Sequence, residues 1–407
     1  MKRAVALAAN LALAFTSLVV VLGALEAVAR LTEEKAGAPV AALYTEYDPL
    51  LGWRHRPGAR REFHQGAYAI NSLGLRDRER RYEPPSGTRR VLVLGDSFAE
   101  GFSVSSEDMV SHVLERDLSA PECPVEVING GTVAYSTDQE YLFYREEGAR
   151  YHAAVVVLLF FYNDVLSNIS DVAGEAPKPL LSCEGGPPRL MNDPVPTPPP
   201  ASTRLRGRPP YPWGSAALEW ARKRLGAAPR AYGALAALGL WPPLQAAPPP
   251  LETRVYERRP VRRVIVAWSC TNGLLQALND EVKAHGARLL AVYVPSKMEI
   301  SERDWGLTRQ QYGVDDTVWD RGQVARTLAR AGESIGFPVL DLTRALRDVD
   351  SSLLGGPYYT HGGHWNALGH RVAARSIARF LRERRWLEPC SAGITLPRRP
   401  TAADDRE

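Results

Sequence analysis

Residues 153–161 read Ala-Ala-Val-Val-Val-Leu-Leu-Phe-Phe, without a single polar interruption. A strand with one wet face alternates apolar and polar side chains, so a run like this belongs to a strand buried on both faces. Shorter β-rich runs at 90–94, 124–128, 288–294 and 338–342 accompany it, with helical patterns at 106–118, 137–148, 268–285, 320–335 and 367–385. Strands separated by helical patterns predict a parallel sheet covered on both sides, a three-layer α/β sandwich.

The pattern breaks between about 166 and 260. Prolines cluster there, at Pro194, Pro196, Pro198 to Pro200, Pro242, Pro243 and Pro248 to Pro250. Proline removes a backbone donor and cannot sit inside a sheet, so this stretch is expected to be a surface insertion. Residues 31–89 are turn-rich and dotted with aromatics, as in Leu51-Gly52-Trp53, and read as an ordered lead-in packed on the domain. The α/β domain is expected over 90–390, and a disordered polar tail over 391–407.

The first 30 residues read as an address. Lys2 and Arg3 precede an apolar stretch from Ala4 to Leu25. That length suits a membrane span of about 20 residues better than a secretory core of about 7–15. An uncleaved N-terminal transmembrane anchor is expected, with the domain outside the cytoplasm. Ala27-Val28-Ala29 resembles a cleavage site and leaves a cleaved signal peptide open. Export permits disulfides between Cys123, Cys183, Cys270 and Cys390, whose pairing the spacing leaves open, as it does the alternative of buried free thiols. With 50 Lys+Arg against 46 Asp+Glu and no basic stripe, nucleic acid is not an expected partner.

In open parallel sheets ligands bind beyond the carboxyl ends of the strands. The first strand delivers Gly95-Asp96-Ser97 there, the second Asn129-Gly130-Gly131, the third Asn163-Asp164. Near the C-terminus, Tyr358-Tyr359-Thr360-His361-Gly362-Gly363-His364-Trp365-Asn366 precedes a helix and places His364 where a base can reach a serine. A serine hydroxyl is a poor nucleophile until a neighbouring base takes its proton, and imidazole suits that task near neutral pH.

Gly-Asp-Ser, a glycine in the second block, an asparagine in the third and a late histidine before a helix resemble the SGNH (GDSL-like) hydrolase family. The resemblance spans about residues 88–385, and the apolar N-terminus with its lead-in is similar to a bacterial membrane-anchored subgroup. It implies a flavodoxin-like fold and an exported ester hydrolase, an acyl or acetyl esterase, that needs no cofactor. It implies Ser97 as nucleophile, His364 as its base, and Ser97 N–H, Gly131 N–H and Asn163 as the oxyanion hole. The implied substrate is an acylated small molecule or glycan. An O-acyltransferase acting on an envelope or secreted polysaccharide is the alternative, and a catalytically degenerate binding module a third.

One departure stands out. The family carries an aspartate two or three residues before the histidine, and here those positions are Gly362 and His361. Loss of the orienting aspartate in a serine protease costs about 10⁴ in rate. A backbone carbonyl orienting His364, a distant acid such as Asp341 or Asp350, and a weakened site are the readings left open. Asp96 reads as a structural turn residue, His361 as a loop residue, and metal ligation by His361, His364 and His370 lacks a completing carboxylate.

Overall fold

A computed structural model describes residues 44–198 and 248–388, apart from 64, 65, 175, 184, 185, 351–355 and 360–362, together with seven helical positions between Leu13 and Ala24. The chain divides into two compact units, residues 1–43 with 199–247 and residues 44–198 with 248–407. The second unit carries the sheet and all of the described candidate site residues. Most of the expected anchor, the middle of the Pro-rich insertion, His361 and the tail lie outside the described residues. Among the described residues no helix is long and apolar enough to cross a membrane.

Five strands form the central sheet: β1 (Arg89–Gly95), β2 (Val125–Asn129), β3 (Val155–Phe161), β4 (Arg288–Val294) and β5 (Val339–Asp341). Every pairing is parallel, and the order across the sheet is β2-β1-β3-β4-β5. This is the doubly wound order in which the chain switches direction between β1 and β3, opening a crevice at their carboxyl ends.

The helices are α1 (Ser97–Glu100), α2 (Val110–Leu118), α3 (Thr137–Glu146), α4 (Asp164–Ser167), α5 (Arg262–Ala284), α6 (Lys297–Ile300), α7 (Glu302–Tyr312), α8 (Gln323–Ile335), α9 (Thr343–Asp350) and α10 (Ala367–Glu383). Alternate residues of each strand serve opposite faces. Leu92, Leu94, Val156, Leu158 and Phe160 pack with α3, α5 and α8, while Val91, Val93, Val155, Val157 and Leu159 pack with α2 and α10. The expectation of a three-layer α/β sandwich with a parallel sheet is met.

Ahead of β1 the chain forms two antiparallel hairpins, Thr45–Asp48 with Gly52–His55 and Arg60–Phe63 with Gly66–Ala69. It then sinks charged residues into the fold. Asp77 accepts from Arg80 at 3.1 Å and from the Asn129 N–H at 3.1 Å, and Arg80 donates onward to Glu115 and the Val127 carbonyl. Cys183 and Cys270 are disulfide-bonded, which ties the segment before residue 199 to α5, and Cys123 is disulfide-bonded as well.

Candidate active site

β1 ends against the sheet at Gly95, whose φ of +148° lies where side chains rarely go. A Cβ there would stand 2.8 Å from the Cβ of Ala99 and 3.1 Å from that of Leu159, so only glycine lets the chain turn this tightly into α1. Asp96 caps that turn, its Oδ1 accepting from the Phe98 N–H at 2.9 Å. Burial pushes the Asp96 carboxyl up to about 7, against the pull of that amide. Ser97 is thereby held as the first residue of α1.

From 267 positions further along the chain, His364 brings its Nε2 to 2.9 Å from the Ser97 Oγ. Both flanks of its loop are fastened. Trp365 is fully buried, and the Asn366 Oδ1 accepts from the Leu368 and Gly369 N–H groups to start α10. The Tyr359 N–H donates to the His364 carbonyl at 2.9 Å. The imidazole itself stands between Phe98 and Phe102, with ring centroids 5.4 and 5.1 Å away.

Asn163 follows β3, across the crevice from β1 in sheet order. Its side chain does not cap α4, its Oδ1 is buried without a partner, and its NH₂ has no acceptor among the described residues. The Ser97 N–H likewise has no acceptor among them. Two donors thus stand at the ends of the two strands that flank the crevice.

Gly131 is different, and corrects an expectation. Its N–H is donated to the Asn129 Oδ1 at 3.0 Å, so it is not free to hold an oxyanion. Its side chain is missing for a packing reason: a Cβ would lie 2.3 Å from the Glu100 nitrogen and 2.5 Å from the Ala99 carbonyl carbon. The loop it starts is bound to the turn that carries Ser97 by the Thr132 N–H, which donates to the Gly95 carbonyl at 3.0 Å. Further along that loop Ala134 has φ +60°, a left-handed conformation that costs a non-glycine residue about 1–2 kcal/mol. Ala134 is exposed, and its N–H makes no hydrogen bond among the described residues. No residue-type signal marks this alanine; only its backbone angle does.

The acids considered as orienters of His364 are engaged elsewhere. Asp341 is exposed beyond β4 in sheet order and accepts from the Thr343 N–H, while Asp350 sits beside Ser301, Lys297 and Asp304. His370 is buried and takes the Val110 N–H on its Nδ1 at 3.2 Å. Burial foremost, then the nearby Arg76 and His364, drives it down to about 3, so it stays neutral. Among the described residues no three ligand-type side chains are grouped to hold a metal ion.

Beneath the site lies a buried group of carboxylates. Asp138 pairs with Lys178, both fully buried, and Lys178 also reaches the Ser167 carbonyl at 3.0 Å. Glu140 has neither oxygen hydrogen-bonded, and Asp164 accepts weakly from the Phe161 N–H and the Thr137 hydroxyl at 3.4 and 3.5 Å. Burial, then the mutual charge of Asp96, Asp138, Glu140 and Asp164, raises Glu140 and Asp164 well above the usual carboxyl range.

Residues 267–394 match the family model described as "SGNH hydrolase-like domain, acetyltransferase AlgX". That is less than half of the chain and includes His364 but not Ser97. No curated protein sequence matches the chain. Among solved structures, the chain is similar to TesA at 10% identity over 72% of this chain and 99% of that one, with a TM-score of 0.37. It is similar to a lipase/acylhydrolase from Enterococcus faecalis at 12% identity, covering 73% and 96%, TM-score 0.37. It is also similar to a catalytic mutant of an acetylxylan esterase from Geobacillus stearothermophilus at 14%, covering 72% and 93%, TM-score 0.35. Likenesses this distant transfer neither activity nor substrate.

Proposed function

We propose that this protein is an SGNH-type ester hydrolase that works through an acyl-serine intermediate. The observation that carries the reading is the 2.9 Å hydrogen bond between the Ser97 Oγ and the His364 Nε2 at the mouth of the β1–β3 crevice. His364 takes the hydroxyl proton as Ser97 attacks an ester carbonyl, and the oxyanion falls to the Ser97 N–H, the Asn163 NH₂ and the Ala134 N–H. Collapse breaks the ester bond, His364 returns the proton to the departing alcohol, and the acyl group stays on Ser97. A water activated by the same imidazole then releases the acid. The left-handed Ala134 supports its part, since strain at a loop facing a site is more often retained there than elsewhere.

The match of residues 267–394 to an acetyltransferase domain supports a second reading, in which a glycan hydroxyl replaces that water. In either reading the substrate is an acylated small molecule or glycan. The disulfide between Cys183 and Cys270 supports an oxidising compartment, and the basic-then-apolar N-terminus supports a membrane tether of the bacterial anchored type with the domain outside the cytoplasm.

The test is Ser97→Ala. Hydrolysis of p-nitrophenyl acetate and labelling by a fluorophosphonate probe are expected to vanish, with the circular dichroism spectrum unchanged. Equal turnover by variant and wild type would remove Ser97 as nucleophile. An unlabelled, inactive wild type points to a binding module instead. Acetylated glycan in the mass spectrum after incubation with an acetyl donor selects transfer; free acetate alone selects hydrolysis.

A further inference from the structure

α1, the helix that carries Ser97, is a single turn, and a turn that short has no stability of its own. Its place is set by what grips it, and most of the grip comes from the lead-in. The Arg76 guanidinium donates to the carbonyls of Glu100, at 3.0 Å, of Gly101, and of Val104, at 2.7 Å. It lies 3.8 Å over the Tyr68 ring. The Asn129 NH₂ joins the Arg76 carbonyl at 3.1 Å to that of Glu100 at 3.4 Å.

The last residue of α1, Glu100, turns its carboxylate inward, where it is 0% exposed. His55, 1% exposed on the strand Gly52–His55, brings its Nε2 to 3.6 Å from the Glu100 Oε1. The His55 Nδ1 faces the Gly74 carbonyl at 3.2 Å and, since a carbonyl only accepts, donates to it there, which fixes the ring with Nε2 turned to the carboxylate. Burial first, then the charge of nearby Glu100, raises the Tyr44 hydroxyl above the usual phenol range. A buried pair of this kind seldom adds stability over apolar side chains of like volume; what it offers is one defined geometry.

We propose that Glu100 and His55 are positioning residues, which seat α1 on the lead-in hairpin and so aim the Ser97 Oγ at His364. The proposal rests on Ser97 being the nucleophile. Glu100→Gln and His55→Gln are compared with Val324→Ala, a buried cavity variant on α8. Both Gln variants are expected to lower kcat for p-nitrophenyl acetate and the fluorophosphonate labelling rate by about 10–100-fold. KM is expected to stay within about two-fold, and the double variant to be no worse than either single one. Val324→Ala is expected to lower Tm and keep kcat. Wild-type kcat in Glu100→Gln, or a loss no greater than Val324→Ala shows at equal Tm, overturns the proposal. Should Glu100→Gln not fold, His55→Gln carries the same test. If the wild type itself neither turns over nor labels, the Ser97 reading has failed, and amide hydrogen exchange over Phe98–Gly101 decides the seating. Faster exchange in Glu100→Gln supports it, and unchanged exchange overturns it.

Discussion

Asn163 shows how a residue type becomes a function only in place. Its amide holds no partner among the described residues at the end of β3, and in the proposed mechanism that donor meets the charge developing beside Ser97. Removing one such donor costs about 2.7–4 kcal/mol of transition-state binding. Asn163→Ala is therefore expected to reduce kcat by about 10²–10³-fold with KM little changed, as steady-state kinetics would show. An unaltered kcat would take Asn163 out of the oxyanion hole. Ser97, His364 and Asn163 could be singled out in the sequence, because the proposed nucleophile, base and donor must be particular side chains. Gly131 was misassigned for the opposite reason. A backbone N–H carries no residue label, and the direction it points is set by Asn129 and α1. Ala134 left no trace in the sequence at all.

At the scale of elements, the five strands and the long helices were legible because each buries a continuous or periodic apolar face. Helix α5 begins at Arg262, six residues before its expected start, since Pro260 closes the preceding segment and Arg262 and Arg263 sit on the solvent side. The hairpins at 45–69 and the helices α6 and α7 carry no such signal. They are short or polar, and packing holds them. The capping box of Ser296 and Glu299 shows this for α6, where the Glu299 carboxyl takes the Ser296 N–H at 2.6 Å and the hydroxyls of Tyr256 and Tyr293 at 2.7 Å. The disulfide acts at this scale too. It closes a loop with a sequence separation of 87 onto α5. Cys183→Ser is expected to cost about 2–4 kcal/mol in chemical denaturation. A variant with the wild-type midpoint would show that the native packing holds this loop without the bond.

At the scale of the whole molecule, carboxyls buried in the fold set how its stability responds to pH. Burial holds Asp96 and Glu299 at about 7 each, and Glu140 and Asp164 well above their ordinary range. A carboxyl whose pKa rises on folding stabilises fully below its unfolded value of about 3.8–4.5 and loses that contribution as pH climbs through the folded value. Asp77 runs the other way. His112 and Arg80 outweigh its burial and hold it below the usual range, so its contribution is lost only in acid, as pH falls through its folded value. Thermal stability is therefore expected to decline as pH rises from about 5 through about 7. Asp96→Asn, which keeps a cap for Phe98 but cannot ionise, is expected to flatten part of that decline. Calorimetry across the range checks it; a wild-type slope in the variant would mean Asp96 does not titrate with folding.

By itself the sequence determined the strand and helix alternation, the parallel sheet and the chemical identity of the pair that meets at its edge. Local periodicity and obligatory side-chain chemistry are written residue by residue. Which amides are left without an acceptor, which carboxyls are buried among like charges, and the way the lead-in grips the turn that carries Ser97 were decided by tertiary structure alone. Those properties depend on which groups residues distant in the chain bring face to face out of water, and that is a matter of distance and burial, not of residue type.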